Sequence, residues 1–286
     1  AIIQLKSLTE IKKGGNMDKN NICHIENGDP RMLEASNNAR DTFKYFLREL
    51  SWENRRIIPG LELACIKVSF DNTDDNEGPT HEVMWINDLN FDGKTISGIL
   101  VNKPQWIDSL SQGDEIKITL DQIVDWMYAV NGKAYGAFTV NVIRSNMGIK
   151  ERKAHDKAWG LDFGNPAMTE IIYQPQSNKK LLSFFSKPQI FSQEALMEQE
   201  HPMSINMLSK YREQLSESSE STLAFEDEAG NTLLHIDAMS GNSSIVKLFL
   251  EFGADKTKKN VHGQTPLDLA KQFKWDKIIK QFEKQG

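Results

Sequence analysis

Two hydrophobic rhythms divide this chain. Between residues 61 and 145 apolar side chains alternate at period two, in Ile66, Val68 and Phe70 and again in Ile116, Ile118 and Leu120. That is the spacing of strands with one buried face. His81–Asn87, Thr95–Val101, Ile123–Val130 and Lys133–Arg144 are further predicted strands, the last two joined by Asn131-Gly132, the dipeptide of a tight hairpin. Asp92-Gly93 and Gln112-Gly113 mark further turns, so the strands predict an antiparallel meander that curls. Ahead of them Ala39, Phe43, Phe46, Leu47 and Leu50 recur at helical spacing and predict one amphipathic helix packed on the sheet. This half belongs to the α+β class.

The second rhythm is a repeat. Gly230-Asn-Thr232-Leu-Leu234-His235-Ile-Asp237-Ala238 recurs 33 residues later as Gly263-Gln-Thr265-Pro266-Leu267-Asp268-Leu-Ala270, with Gly, Thr and Leu holding the interval. Between the copies Ile245, Val246, Leu248, Phe249 and Leu250 form an apolar helical stretch that ends at Gly253-Ala254-Asp255. Over about residues 227–286 the chain resembles the ankyrin repeat. It departs from that pattern where Leu233 replaces the usual proline, where Asp237 replaces a small alanine, and where the second copy has Asp268 for His235. Two copies cannot bury their own faces. Pro202–Leu215, with Met207, Leu208, Tyr211 and Leu215 on one helical face, is therefore read as a degenerate first repeat or cap. Trp275, Ile278, Ile279 and Phe282, flanked by lysines, are read as the C-terminal cap.

The predicted division is residues 1–30 as leader or flexible N-terminus, 31–175 as the α+β domain, 176–201 as connector and 202–286 as an all-α ankyrin array. Residues Ser183–Ser192, with Pro188 inside them, and the Ser and Glu cluster at 216–221 read as connectors, which supports a division of the chain. So does charge: residues 187–226 carry 3 basic and 7 acidic groups, more than half of the net −6. An acidic chain of 34 Lys and Arg against 40 Asp and Glu argues against nucleic acid as a partner. Cys23 and Cys65 are too few for a disulfide framework and stand in no metal-binding spacing, which makes the reducing cytoplasm the expected compartment. No stretch approaches the ~18 apolar residues of a membrane span.

A second resemblance rests on several short motifs in order. They are Ala39-Arg40-x-Thr42-Phe43, His81 with Trp85, Gly98-x-Leu100-x-Asn102-x-Pro104, Gly113-Asp114-x-Ile116, Ile123-x-Asp125-Trp126-Met127-Tyr128 and Gly136-x-x-Thr139. Together, over about residues 35–145, they resemble the bacterial YegJ-like domain of unknown function. That resemblance implies a small bent antiparallel sheet with a helix and a bacterial origin, and it carries over no catalytic residues.

Candidate chemistry is sparse. The acidic run Asp71, Asp74, Asp75 and Glu77 lacks the spacing of a calcium loop and reads as a solvated hairpin tip. Cys65 and His81 could form a thiolate and base, but no orienting or oxyanion motif accompanies them, and a small thiol in a strand usually packs. His81, Trp85, Asp125, Trp126 and Tyr128 mix rings and polar groups as an aromatic ligand groove does. The competing reading, in which the tryptophans fill the core and Asp125 and His81 satisfy buried donors, is the expected one for aromatic residues on strands. His235 is expected to bond turn backbone. No cofactor and no metal are predicted, because no phosphate loop, nucleophile elbow or paired-histidine motif is present.

The expected function is therefore non-catalytic recognition of a protein partner on the ankyrin face. The predicted contacts are Asp227, Glu228, Asn231, Lys256, Lys258, Lys259 and His262 at the hairpin tips, together with the adjoining inner helices. An adaptor, an immunity protein and an effector delivered into a host cell all fit. The alternative is a hydrolase with its site at His81, Trp85, Asp125 and Trp126 and an array that recruits substrate.

Overall fold

The computed structural model describes residues 29–73, 78–174 and 192–284. Most of the expected leader, Cys23, Asp74, Asp75, Glu77 and most of the expected connector lie outside these residues. Helix α1 (Pro30–Glu53) starts where the Asp29 carboxylate accepts the Arg31 amide and Pro30 fills the first turn. Six strands follow: β1 (Leu63–Asp71), β2 (His81–Phe91), β3 (Thr95–Leu100), β4 (Glu115–Thr119), β5 (Ile123–Val130) and β6 (Lys133–Gly136). They form one antiparallel sheet in the order β4-β3-β2-β1-β5-β6, the curled meander that the alternation predicts. Strand β2 runs past the expected Asn87 to Phe91 across a bulge, where Asp88 takes a positive φ of 51°.

The predicted strand Lys133–Arg144 is corrected by the structure. It ends at Gly136, and Phe138–Ser145 is a helix, α2. Thr139, Val140, Val142 and Ile143 are β-branched and read as strand, but two successive left-handed residues, Gly136 (φ 77°) and Ala137 (φ 60°), turn the chain away. Asp125 then fixes the helix start from across the sheet. Its carboxylate accepts the Phe138 amide (2.9 Å), the Thr139 amide (2.7 Å) and the Thr139 hydroxyl (2.6 Å). Helix α3 (Ile149–Trp159) follows and stops at Gly160, again left-handed.

One face of the sheet meets α1 through Ile66, Val68, Ile86, Trp126 and Tyr128 against Ala39, Phe43 and Phe46. The other face carries a smaller cluster in which Cys65, Trp85 and Met127 pack with Val140, Leu161 and Phe163.

After α4 (Gln193–Met197) and α5 (Pro202–Asn206), the chain enters the helical region: α6 (Leu208–Leu223), α7 (Leu233–Met239), α8 (Ser243–Glu251), α9 (Pro266–Gln272) and α10 (Asp276–Glu283). The 33-residue interval reproduces geometry as well as sequence. Gly230 and Gly263 take φ values of 71° and 74°, and Thr232 and Thr265 cap α7 and α9. The exchange of His235 for Asp268 conserves the bond: Nδ1 of His235 accepts the Thr232 amide (3.1 Å), and Asp268 accepts that of Thr265 (2.8 Å). Leu215 of α6 is buried, and Tyr211 lies edge-on to Phe249 of α8, as expected of a capping helix. Ile278 and Phe282 are buried on α10 while its lysines stay in water. Trp275 precedes α10 and turns back onto α1, its ring edge-on to Tyr45 at 5.7 Å.

Candidate partner-binding surface

The two hairpin tips, or fingers, are built by the same device at the same interval. Asp227 Oδ1 accepts the Ala229 and Asn231 amides (2.9 and 2.8 Å), and Asn260 Oδ1, 33 residues on, accepts those of His262 and Gln264 (3.0 and 2.9 Å). The Val261 amide donates to Ala229 O at 2.9 Å, and Lys258 pairs with Glu226 at 2.9 Å, so adjacent fingers form one continuous row.

The row has two sides. Asn231 is fully buried, donating to Asp92 O of the β2–β3 turn (3.1 Å) and accepting from Asn260 Nδ2 (2.9 Å). His262 turns the same way, its Nε2 3.1 Å from Asp92 Oδ2. Gln264 and Gln272 both donate to Gly93 O, each at 3.2 Å. The β2–β3 turn of the α+β half is thus seated against the fingers. Asp92 is held with a pKa of about 2: burial works against ionisation, but bonds from the Thr95 hydroxyl and amide, the Lys94 amide and His262 outweigh it. On the open side Glu228 and Lys259 are exposed and Lys256 and Asp227 are half-buried. Two large apolar side chains of the same finger segments are also left in water, Phe225 (45% exposed) and Val261 (68%). Neither was singled out from the sequence, because an isolated apolar residue in a turn has no periodicity.

His235 is fully buried. Burial pushes its pKa down, and Nε2 bonds Gln264 O at 3.1 Å while Nδ1 serves the Thr232 turn.

The five residues of the alternative groove are distributed by strand alternation to different places. Trp126 and Tyr128 point towards α1, their rings parallel at 6.1 Å. Trp126 Nε1 donates to Ala39 O (2.8 Å), and Tyr128 Oη donates to Ile171 O and accepts the Tyr173 amide, both at 2.9 Å. Trp85 and Asp125 lie on the opposite face, where Lys67 sits 5.4 Å from the Trp85 ring centre and 3.4 Å from the Thr139 hydroxyl. Burial raises the Asp125 pKa, opposed by the Thr139 hydroxyl and Lys67, while its acceptor capacity is spent on α2. His81 is at the exposed strand end, paired with Asp71 at 2.9 Å. Cys65 is a free, buried thiol whose pKa burial pushes well up. Among the described residues no cluster of His, Cys, Asp and Glu could hold a metal ion. No helix among them is long and apolar enough to cross a membrane.

Comparison with known proteins agrees with both halves. Residues 29–163 match the family described as an uncharacterized protein conserved in bacteria (DUF2314), and residues 229–261 match the ankyrin repeat, a protein-interaction module. A Neisseria meningitidis serogroup B protein named as an ankyrin repeat protein is 38% identical over 257 residues, 90% of this chain and 94% of that protein. The uncharacterized protein YegJ of Escherichia coli K12 is 32% identical over 60 residues, 21% of this chain and 39% of its own. The resemblance to a Caenorhabditis elegans transient receptor potential channel homolog, 46% over 48 residues, covers 17% of this chain and 4% of the channel. The chain therefore carries a bacterial DUF2314 domain followed by an ankyrin repeat, and it belongs to the same family as the Neisseria ankyrin repeat protein, which it matches along nearly its whole length.

Proposed function

We propose that the protein recognises a protein partner through the open side of its finger row. The observation that carries this reading is the exposure of two large apolar side chains of the finger row, Phe225 just ahead of the first turn and Val261 within the second, with Glu228 and Lys259 also exposed there. An apolar contact ringed by unlike charges is the composition of a small recognition patch. Asp227, Lys256 and Lys258 border it, Lys258 already neutralised by Glu226; Asn231 and His262 support it from beneath. The partner would present an apolar side chain between an acidic and a basic group, and binding would weaken with salt.

The working division of the chain remains 31–175, 176–201 and 202–286. The reading assigns the protein to the cytoplasm as an adaptor or immunity protein, and the same patch would serve an effector delivered into a host cell. The test is capture with the purified full chain against a variant carrying Lys259→Glu and Val261→Ser. Surface changes of this kind usually alter stability by no more than about 0.5 kcal/mol. A partner retained by the parent and lost by the folded variant supports the reading; equal retention by both overturns it.

A further inference from the structure

Helix α1 has a second buried side that its amphipathic pattern does not announce. Ala39, Phe43 and Phe46 face the sheet, while Tyr45, Arg48, Trp52 and Arg55, spaced by three, four and three residues, line a different stripe along α1 and its end. Every member of that stripe meets the repeats. Tyr45 and Arg48 lie against Trp275, the Trp52 indole donates to Asn242 Oδ1 (3.0 Å), and Arg55 forms an ion pair with Asp237 (2.8 Å). Glu49, between them, bonds His201 at 3.2 Å. A free-standing domain would leave two aromatic rings and a salt-bridge half in water here.

The repeats are altered to match. Asp237 stands where the ankyrin pattern has a small residue, and the equivalent position of the second copy, 33 residues on, is Ala270. A fully buried carboxylate is costly without a cation and donors, and Asp237 meets both at Oδ1, in Arg55 and in Asn242 Nδ2 (2.7 Å), while Oδ2 has no hydrogen-bond partner among the described residues. Asn242 and Trp275 occupy the same position of the two copies, in the loop between inner and outer helix, and both address α1. Met239, Leu269 and Phe273 of the repeats belong to the same apolar core as the sheet, Phe273 lying edge-on to Phe91 at 5.7 Å.

We propose that the inner side of the repeats is reserved for the chain's own DUF2314 domain, with Asp237 as the residue that sets the register of α1 on it. The array acts inward as a brace, and recognition of other proteins falls to the finger row. This goes beyond the proposed function, since it concerns the covered side and would stand even if the finger row bound nothing.

The experiment is scanning calorimetry of the full chain with near-UV circular dichroism. The parent should unfold in one transition, its calorimetric and van't Hoff enthalpies equal. Asp237→Ala, which copies Ala270, should lower that single transition by several degrees, and adding Arg55→Met should recover part of the loss by removing the stranded cation. Lys259→Glu, on the open side, should not move it. Two transitions in the parent, or a sheet transition unmoved by Asp237→Ala, would overturn the proposal. So would a double variant that loses the full sum of the single losses. Should Asp237→Ala fail to fold, Arg55→Met alone decides between the outcomes, because Arg55 belongs to the α+β half and its loss should destabilise the repeats equally.

Discussion

Replacing Trp126 with alanine attacks the α+β core at its centre, and the structure sets the size of the effect. The indole is fully buried. It lies parallel to Tyr128 at 6.1 Å and tilted or edge-on to Phe46 (5.7 Å) and Phe138 (5.5 Å), and its Nε1 bonds Ala39 O on α1. Truncation removes about 3–5 kcal/mol by the usual cost of large aromatic deletions. The upper half of that range is expected, since the lost hydrogen bond adds about 1 kcal/mol and the four neighbours belong to rigid elements that cannot collapse into the space. Trp126→Phe should fall between, keeping the ring contacts and losing the bond. Urea unfolding followed by far-UV circular dichroism measures both. A loss below about 1 kcal/mol for Trp126→Ala would refute the packing argument and restore Trp126 as a groove residue.

Other outcomes follow from single sites. Asp125→Asn leaves one acceptor oxygen where four donors converge, so it should cost at least about 2 kcal/mol in the same unfolding assay, most of it as loss of α2. Gly136→Ala should destabilise strongly, because its Cβ would lie 2.3 Å from Trp126 O at a φ of 77°; a neutral result in thermal melts would contradict the close approach. Asp92, depressed to about pKa 2 in the folded protein against about 3.9 unfolded, contributes stability above about pH 4 that is lost as pH falls towards 2. Asp92→Asn should therefore flatten the acid limb of a stability–pH curve, and an unchanged limb would sink that assignment.

Period two and the 33-residue interval are strong signals because each residue of β1 to β5, or of a repeat, meets the same environment at a fixed spacing. That made the strands, the repeated Gly, Thr and Leu positions and the two domain types readable. The failures lie where tertiary contacts override local preference. Residues 138–145 carry β-branched side chains, yet α2 forms because Asp125, on a strand behind them, supplies its N-terminal acceptor. The groove of His81, Trp85, Asp125, Trp126 and Tyr128, the alternative to core packing, is divided by alternation, 125 and 126 necessarily facing opposite ways. The stripe Tyr45, Arg48, Trp52 and Arg55 was invisible because a helix buried on two sides blurs the amphipathic rhythm. Asp237 did stand out as a departure from the repeat, and its partner on α1 supplies the reason.

If the inner ankyrin side braces the DUF2314 domain as proposed, the domain and the repeats form one cooperative body. Native-state hydrogen exchange on the full chain, with denaturant held below the unfolding transition, tests it most directly. The slowest amides of α1 between Tyr45 and Trp52, of β5 and of α7 should open with one free energy and one denaturant slope. Exchange of α7 to α10 at a lower free energy, with the sheet still protected, would contradict it.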